Sequence, residues 1–202
     1  MISGSVSRSF LLIILMSCFP VHATQADELE RLMQAMATIK HRTVCYQEEK
    51  RMDLLETPLS SEGMLEYIAP DILVRSVHKP SQVRYTIDSK LVNIEKGDKL
   101  QTRNLDDLPI VRIFVESFRA VLAGDLTSLL KHYDTVFNGD LGQWEIILYP
   151  KNKNLAGYVD KLHLSGTGDM IQMYIIEDSN GDLTRMRLFP SETGDAEMCY
   201  LP

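Results

Sequence analysis

The chain has 202 residues, 45% of them hydrophobic and 24% charged, with 21 basic against 28 acidic side chains and a formal charge of −7. Length and composition fit one soluble globular domain with a sizeable core. The acidic balance excludes nucleic acid as the main partner, because a phosphate backbone attracts clustered Lys and Arg, and it excludes a generally polybasic membrane-binding surface.

The N-terminus carries a targeting pattern. Arg8 is the only charged side chain before Asp27, Phe10 to Met16 is a continuous apolar run, and Pro20 and Val21-His22-Ala23 follow. A basic start, a short apolar stretch and a small residue predict a signal peptide over residues 1–23, cleaved after Ala23. The run is too short to stay in a bilayer as a spanning helix. A competing reading is Leu15-Met16-Ser17-Cys18 as a lipobox, which would leave Cys18 lipidated and the protein membrane-anchored. Cleavage at Ala23 retains Cys45 and Cys199, an even count in an exported compartment that permits disulfides. They form either a bridge or two buried thiols. A bridge would close almost the whole domain and contribute about 4–5 kcal/mol by the chain-entropy argument.

The remaining chain, Thr24 to Pro202, reads as one domain. Leu29, Leu32, Met33, Met36 and Ile39 recur at helical spacing, which predicts an amphipathic helix over Thr24 to Arg42, with Asp27 and Glu28 in its first turn. The period then changes. Strands are expected over Thr43 to Met52, Met64 to Ile68, Ile72 to Val77, Val83 to Asp88, Leu91 to Glu95 and Lys99 to Arg103, joined by turn residues. Asp106-Asp107 before Pro109 opens a helix whose stripe is Ile110, Ile113, Phe114, Phe118, Val121 and Leu122. Gly124 ends it, and Asp125 caps a second short helix through Leu126, Leu129 and Leu130. Four further strands follow, over Gln143 to Tyr149, Val159 to Leu164, Met170 to Glu177 and Leu183 to Phe189. Asn180-Gly181 marks the last hairpin. Ile171, Met173 and Ile175 alternate with Met170, Tyr174 and Ile176, so this strand reads as apolar on both faces, which implies cover on both sides or a concave interior. The order helix, strands, helices, strands gives an α+β, mainly β fold: an antiparallel sheet of about ten strands with helices on one side.

Motifs that carry catalysis are missing. His41, His78, His132 and His163 are scattered, and there is no Cys-x-x-Cys, phosphate-binding glycine loop or Gly-x-Ser-x-Gly elbow. Asp178 to Asp182 has calcium-like residues, but its glycine stands fourth rather than sixth, and a hairpin explains it better. No metal site, cofactor or catalytic residue is expected. A lipid hydrolase with an unrecognised site is the weaker alternative.

One stretch is more specific. Tyr46 to Arg51, Pro58 to Tyr67 and Pro70-Asp71-Ile72-Leu73 follow the order aromatic–polar strand, Gly-x-apolar-x-aromatic, then Pro-Asp-x-apolar. This resembles the opening of the LolA-like family, the periplasmic carriers of outer-membrane lipoproteins. Val115 to Asp125, the Trp144 strand, a Leu164-Ser165-Gly166 turn and the Asn180-Gly181-Asp182 hairpin resemble a divergent branch of it. The resemblance implies an incomplete antiparallel β-barrel closed by a helical lid over an apolar cavity for acyl chains. It implies an acylated lipoprotein or another lipid-linked cargo, taken from an inner-membrane releasing complex to an outer-membrane receptor by a monomer in the periplasm. The cavity lining would come from Met33 and Met36, from Leu65, Tyr67, Val83, Tyr85, Trp144 and Ile146 on strands, and from Ile113, Phe114, Phe118, Val121 and Leu122 on the central helix. One departure stands out. Family members carry an Arg before the Pro of the strand motif, where it bonds lid backbone; here the residue is Ala69.

Overall fold

The computed structural model describes residues 24–190 and Cys199, without the Asn154 side chain. The expected signal peptide, its cleavage at Ala23 and Cys18 lie outside the described residues. Thr24 caps α1 (Gln25–Met36): its hydroxyl accepts from the Asp27 amide while its own amide donates to the Asp27 carboxylate. That reciprocal box satisfies two orphan donors of the first turn, and the Thr24 bonds hold the Asp27 carboxyl below its usual pKa. The helix stops at Met36, not at Arg42. The reason is tertiary. His41 is already paired with Ile68, so ladder hydrogen bonds to β2 claim the segment the helix would otherwise extend into. Ile39 is buried in the connecting turn.

The strands run β1 (His41–Arg51), β2 (Leu59–Ile68), β3 (Ile72–Lys79), β4 (Val83–Ile87), β5 (Leu91–Lys96) and β6 (Lys99–Asn104). A single 3-10 turn leads into α2 (Pro109–Leu122) and α3 (Leu126–His132). Then come β7 (Tyr133–Asp140), β8 (Gln143–Pro150), the one-turn α4 (Lys153–Ala156), β9 (Val159–Thr167), β10 (Met170–Asp178) and β11 (Leu183–Pro190). All pairs are antiparallel, in the order β6-β5-β4-β3-β2-β1-β11-β10-β9-β8-β7. The edge strands β6 and β7 do not pair, so the curved sheet is an incomplete barrel. Long-range pairing of β1 with β11 joins the N- and C-terminal meanders.

Eleven strands form where ten were expected, and β7 is the addition. Its apolar positions are sparse, and Asn138-Gly139-Asp140 reads as a turn. As an edge strand it needs few apolar residues: Tyr133 and Phe137 face inward, while Asp134, Val136 and Asn138 face solvent. The Leu164-Ser165-Gly166 segment is strand interior, not a turn; Gly166 lies beside Trp144, where a Cβ would sit 2.7 Å from the indole ring and 1.9 Å from the Met170 carbonyl oxygen. In β10 the register slips between Ile171 and Met173. This bulge at Gln172 shifts the alternation, so Ile171 shares the buried face with Tyr174 and Ile176. The reading of β10 as apolar on both faces merged two phases. Met173 and Ile175 do remain half-buried on the outer face.

The helices cover the concave face. α1 packs over β7, and α2 lies across the centre. Gly124, at φ +65°, turns the chain out of α2, and a Cβ there would meet the Met33 carbonyl oxygen of α1 at 2.1 Å. A glycine is therefore needed both for the turn and for the close approach of the two helices. One apolar cluster joins α1, α2 and the inward faces of β1–β5 and β7–β11. Cys45 and Cys199 are bridged, with Cα atoms 5.3 Å apart. Cys45 alternates with the inward-facing Val44 and Tyr46, so the bridge sits on the convex face.

Candidate functional site

Beneath α2, between β1–β3 and β10–β11, lies an apolar crevice of about 20 Å³. Val44, Leu65, Tyr67, Leu73, Phe118, Leu122, Met170, Ile171 and Leu188 line it, with Arg42 and Glu66 at its polar margin. Alternation places Leu65 and Tyr67 on this face of β2, and helical spacing places Phe118 and Leu122 one turn apart above them. Of the residues expected to line a cavity, these four meet. The others are placed elsewhere. Ile113, Val121, Trp144, Ile146, Met33 and Met36 are packed at 2% exposure or less into the solid part of the core. Phe114, Val83 and Tyr85 are only partly covered, the last two on the β4 wing. The α2 stripe thus packs into the core at Ile113 and Val121, borders the crevice at Phe118 and Leu122, and is partly exposed at Phe114 and exposed at Ile110. Val44, Leu73, Met170, Ile171 and Leu188 were missed. Val44, Leu73 and Leu188 were visible as inward strand positions, but which strands curve under the helix depends on sheet order, and that Met170 and Ile171 both reach the crevice depends on the irregular start of β10.

The lid helix is tied to the sheet by few polar contacts. Ser117, fully buried, donates to the Ile113 carbonyl at 2.7 Å, and its hydroxyl meets the Tyr174 hydroxyl of β10 at 2.9 Å. Burial pushes the Tyr174 phenol far above its usual pKa, and does the same to nearby Tyr133; both stay neutral donors at any physiological pH. Phe114 and Phe118 stack on each other at 5.4 Å and meet the Tyr174 ring edge-on at 5.0 and 5.8 Å. At the other side of α2, Arg119 donates to the Asp71 carbonyl in the β2–β3 turn at 2.7 Å. Desolvation lowers the Arg119 pKa against the pull of Asp71 and Glu116. Ala69 has no side chain to reach the lid, but the lid reaches the same turn through Arg119. Tyr67 steadies this turn by donating to the Pro70 carbonyl.

A second polar group lies on the inner face. Arg75 of β3 donates to Glu48 at 2.8 Å, to Ser61 at 3.0 Å and to the Tyr46 hydroxyl at 3.1 Å. Burial alone would lower the Arg75 pKa, but Glu48 and Tyr46 outweigh it and the net shift is upward. The guanidinium is therefore fixed as a paired cation on the barrel wall. Among the described residues no group of three His, Cys, Asp or Glu could hold a metal ion. His41 and His163 are each paired with a glutamate, Glu66 and Glu145, on the outer face.

The open barrel with its helical cover agrees with comparison at the sequence level. The family model described as outer membrane lipoprotein carrier protein LolA-like matches residues 21–198. The chain belongs to this family. No curated protein matches the sequence. Solved structures with a similar fold include a LolA superfamily protein from Nitrosomonas europaea (8% identity, TM-score 0.44), covering 87% of this LolA-like chain and 95% of that one. A putative outer membrane lipoprotein-sorting protein domain from Vibrio parahaemolyticus is 8% identical, with TM-score 0.41 and coverage of 82% and 91%. A chain of the MucA/MucB complex of Pseudomonas aeruginosa is 13% identical, with TM-score 0.42, over 83% of this chain and 56% of that one.

Proposed function

We propose that this LolA-like protein is a periplasmic carrier that binds the acyl chains of a lipoprotein, or of another lipid-linked cargo, between lid and sheet and moves it toward the outer membrane. It does so without turnover. An inner-membrane releasing complex would load it and an outer-membrane receptor would unload it. The observation that carries the reading is the apolar crevice directly beneath α2. At about 20 Å³ it has room for about one water molecule, whereas ligand pockets span roughly 300–1,000 Å³. On this reading the structure is a closed state, and cargo would enter by displacing α2. The few polar ties of α2 make that displacement feasible.

Native mass spectrometry of protein purified from its own periplasm is expected to show a bound acylated species. A second test uses Phe118→Ala. It is expected to cost about 3 kcal/mol, the low end for a buried Phe, because the ring borders open space on one side, and to alter the affinity of an acyl-chain fluorophore. Wild-type protein that binds no such fluorophore at all would exclude the carrier reading. The sequence Leu15-Met16-Ser17-Cys18 supports a second reading, a membrane-tethered receptor or assembly factor for the same cargo. N-terminal sequencing decides between them: Thr24 first supports the soluble carrier, and an acylated Cys18 supports the tethered form.

A further inference from the structure

Among the described residues the crevice has one cation at its margin, Arg42. Among the described residues β11 pairs with β1 as far as Pro190, opposite Val44. Arg42 lies opposite Tyr67 and so faces the interior. Its guanidinium reaches the β9–β10 turn, where it donates to the Asp169 carbonyl and, at 2.7 Å, to the Asp169 carboxylate. The next residues of that turn, Met170 and Ile171, line the crevice. The pair therefore spans the mouth of an otherwise apolar space. The Arg42 side chain is 25% exposed and the Asp169 side chain 43%, so water reaches the pair from one side and the apolar wall begins on the other. Glu66, the one acid of the lining, is committed elsewhere: it faces Thr43 and Val74 across the sheet and its carboxylate meets His41 at 2.8 Å.

We propose that Arg42 is a head-group site for a chain ending in an anionic oxyacid, a carboxylate or a phosphate, whose hydrocarbon occupies the space beneath α2. This rests on the carrier reading and narrows the cargo it would select. A guanidinium has five N–H donors in a planar fork that matches oxyacid geometry. Two are used on Asp169, so three remain to receive an incoming anion. Asp169 holds the fork in place, and its carboxylate, 43% exposed, can turn into water when another oxyacid approaches. The oxyacid of a bound chain would then take the N–H that the Asp169 carboxylate releases together with the donors left over.

The test measures binding of palmitate, of the alcohol of equal chain length and of the monoalkyl phosphate of equal length at low salt. Wild-type protein is expected to prefer palmitate over the alcohol by about tenfold or more, the size of one charge-assisted hydrogen bond. Arg42→Gln is expected to abolish that preference, with an unchanged urea midpoint showing that the variant is folded. Asp169→Asn is expected to raise palmitate affinity without changing that of the alcohol. Either ranking of palmitate and phosphate supports the site and names its oxyacid. Equal wild-type affinity for acid and alcohol overturns the head-group site while sparing the carrier reading, as does a preference that survives Arg42→Gln. Failure of all three amphiphiles to bind removes the carrier reading and this site with it.

Discussion

Strands β8 and β9 hold Trp144, Ile146, Leu148, Leu162 and Leu164 at 1% exposure or less, whereas β4–β6 leave Val83, Tyr85 and Ile94 half-buried and Gln101 and Arg103 exposed on the equivalent face. Both wings alternate inward and outward, so strand pattern does not separate them. The difference is cover. α1 and α2 lie over the β7–β10 side and complete a packed core there, while on the β4–β6 wing only Ile87 and Val92 join that core and the rest of the inner face is less covered. The crevice falls at the junction, under the Phe118 turn of α2, where the sheet passes from filled to uncovered. The proposed carrier function would use this division: one wall stable enough to fold, and another with apolar surface in reserve for cargo.

The largest effect tests the strand that the two wings share. Cys45→Ser, which frees Cys199 and opens a bridge of 154 residues separation, is expected to cost about 4–5 kcal/mol by loop entropy, read as a fall in the urea midpoint that reductant reproduces in the wild type. Reductant without effect on the wild type would mean that the bridge contributes nothing. The comparison itself is tested by a pair of truncations. Ile146→Ala is expected to cost about 2–5 kcal/mol, and Ile94→Ala less than about 1.5 kcal/mol because its burial is partial. Similar costs at both sites would dissolve the distinction between filled and open wings.

A smaller asymmetry lies inside the packed wing. Ser117→Ala strands the Tyr174 hydroxyl in a buried site and is expected to cost about 1–3 kcal/mol, whereas Tyr174→Phe removes only one hydrogen bond, about 1 kcal/mol. The reverse order would mean that the hydroxyl finds another acceptor. Arg119→Gln releases α2 from the Asp71 carbonyl. It is expected to cost about 1 kcal/mol, since relief of a desolvated charge offsets part of the lost bond, and to speed uptake of an acyl-chain fluorophore. An unchanged uptake rate would place lid opening elsewhere.

Much of the fold was legible before the structure. The amphipathic stripe Leu29 to Met36, the Pro109 opening and Gly124 stop of α2, the Asp125 cap and the Asn180-Gly181 hairpin are local signals, written in the residues that form each element. The family pattern from Gly63 to Leu73 carried the open barrel. Three features were not legible for related reasons. β7 has an edge strand's sparse apolar content and becomes a strand only by pairing with β8. The end of α1 at Met36 is set by the competing ladder of β1 on β2. The phase of β10 changes at a bulge that appears only when its register against β9 is known.

The candidate site divides in the same way. The sequence by itself determined that Leu65, Tyr67, Phe118 and Leu122 are apolar and inward-facing, since period alone sets the face of a strand or helix. It also showed that Ala69 stands where family members place the Arg of the lid contact. Only the tertiary structure decided that these four meet over one crevice, that Arg119 bonds to the turn beside Ala69 from the opposite direction, and that Arg42 and Asp169, 127 residues apart, face each other at its mouth. Sequence periodicity is local and fixes direction, whereas adjacency depends on the order and curvature of the sheet, which pairing between distant strands sets.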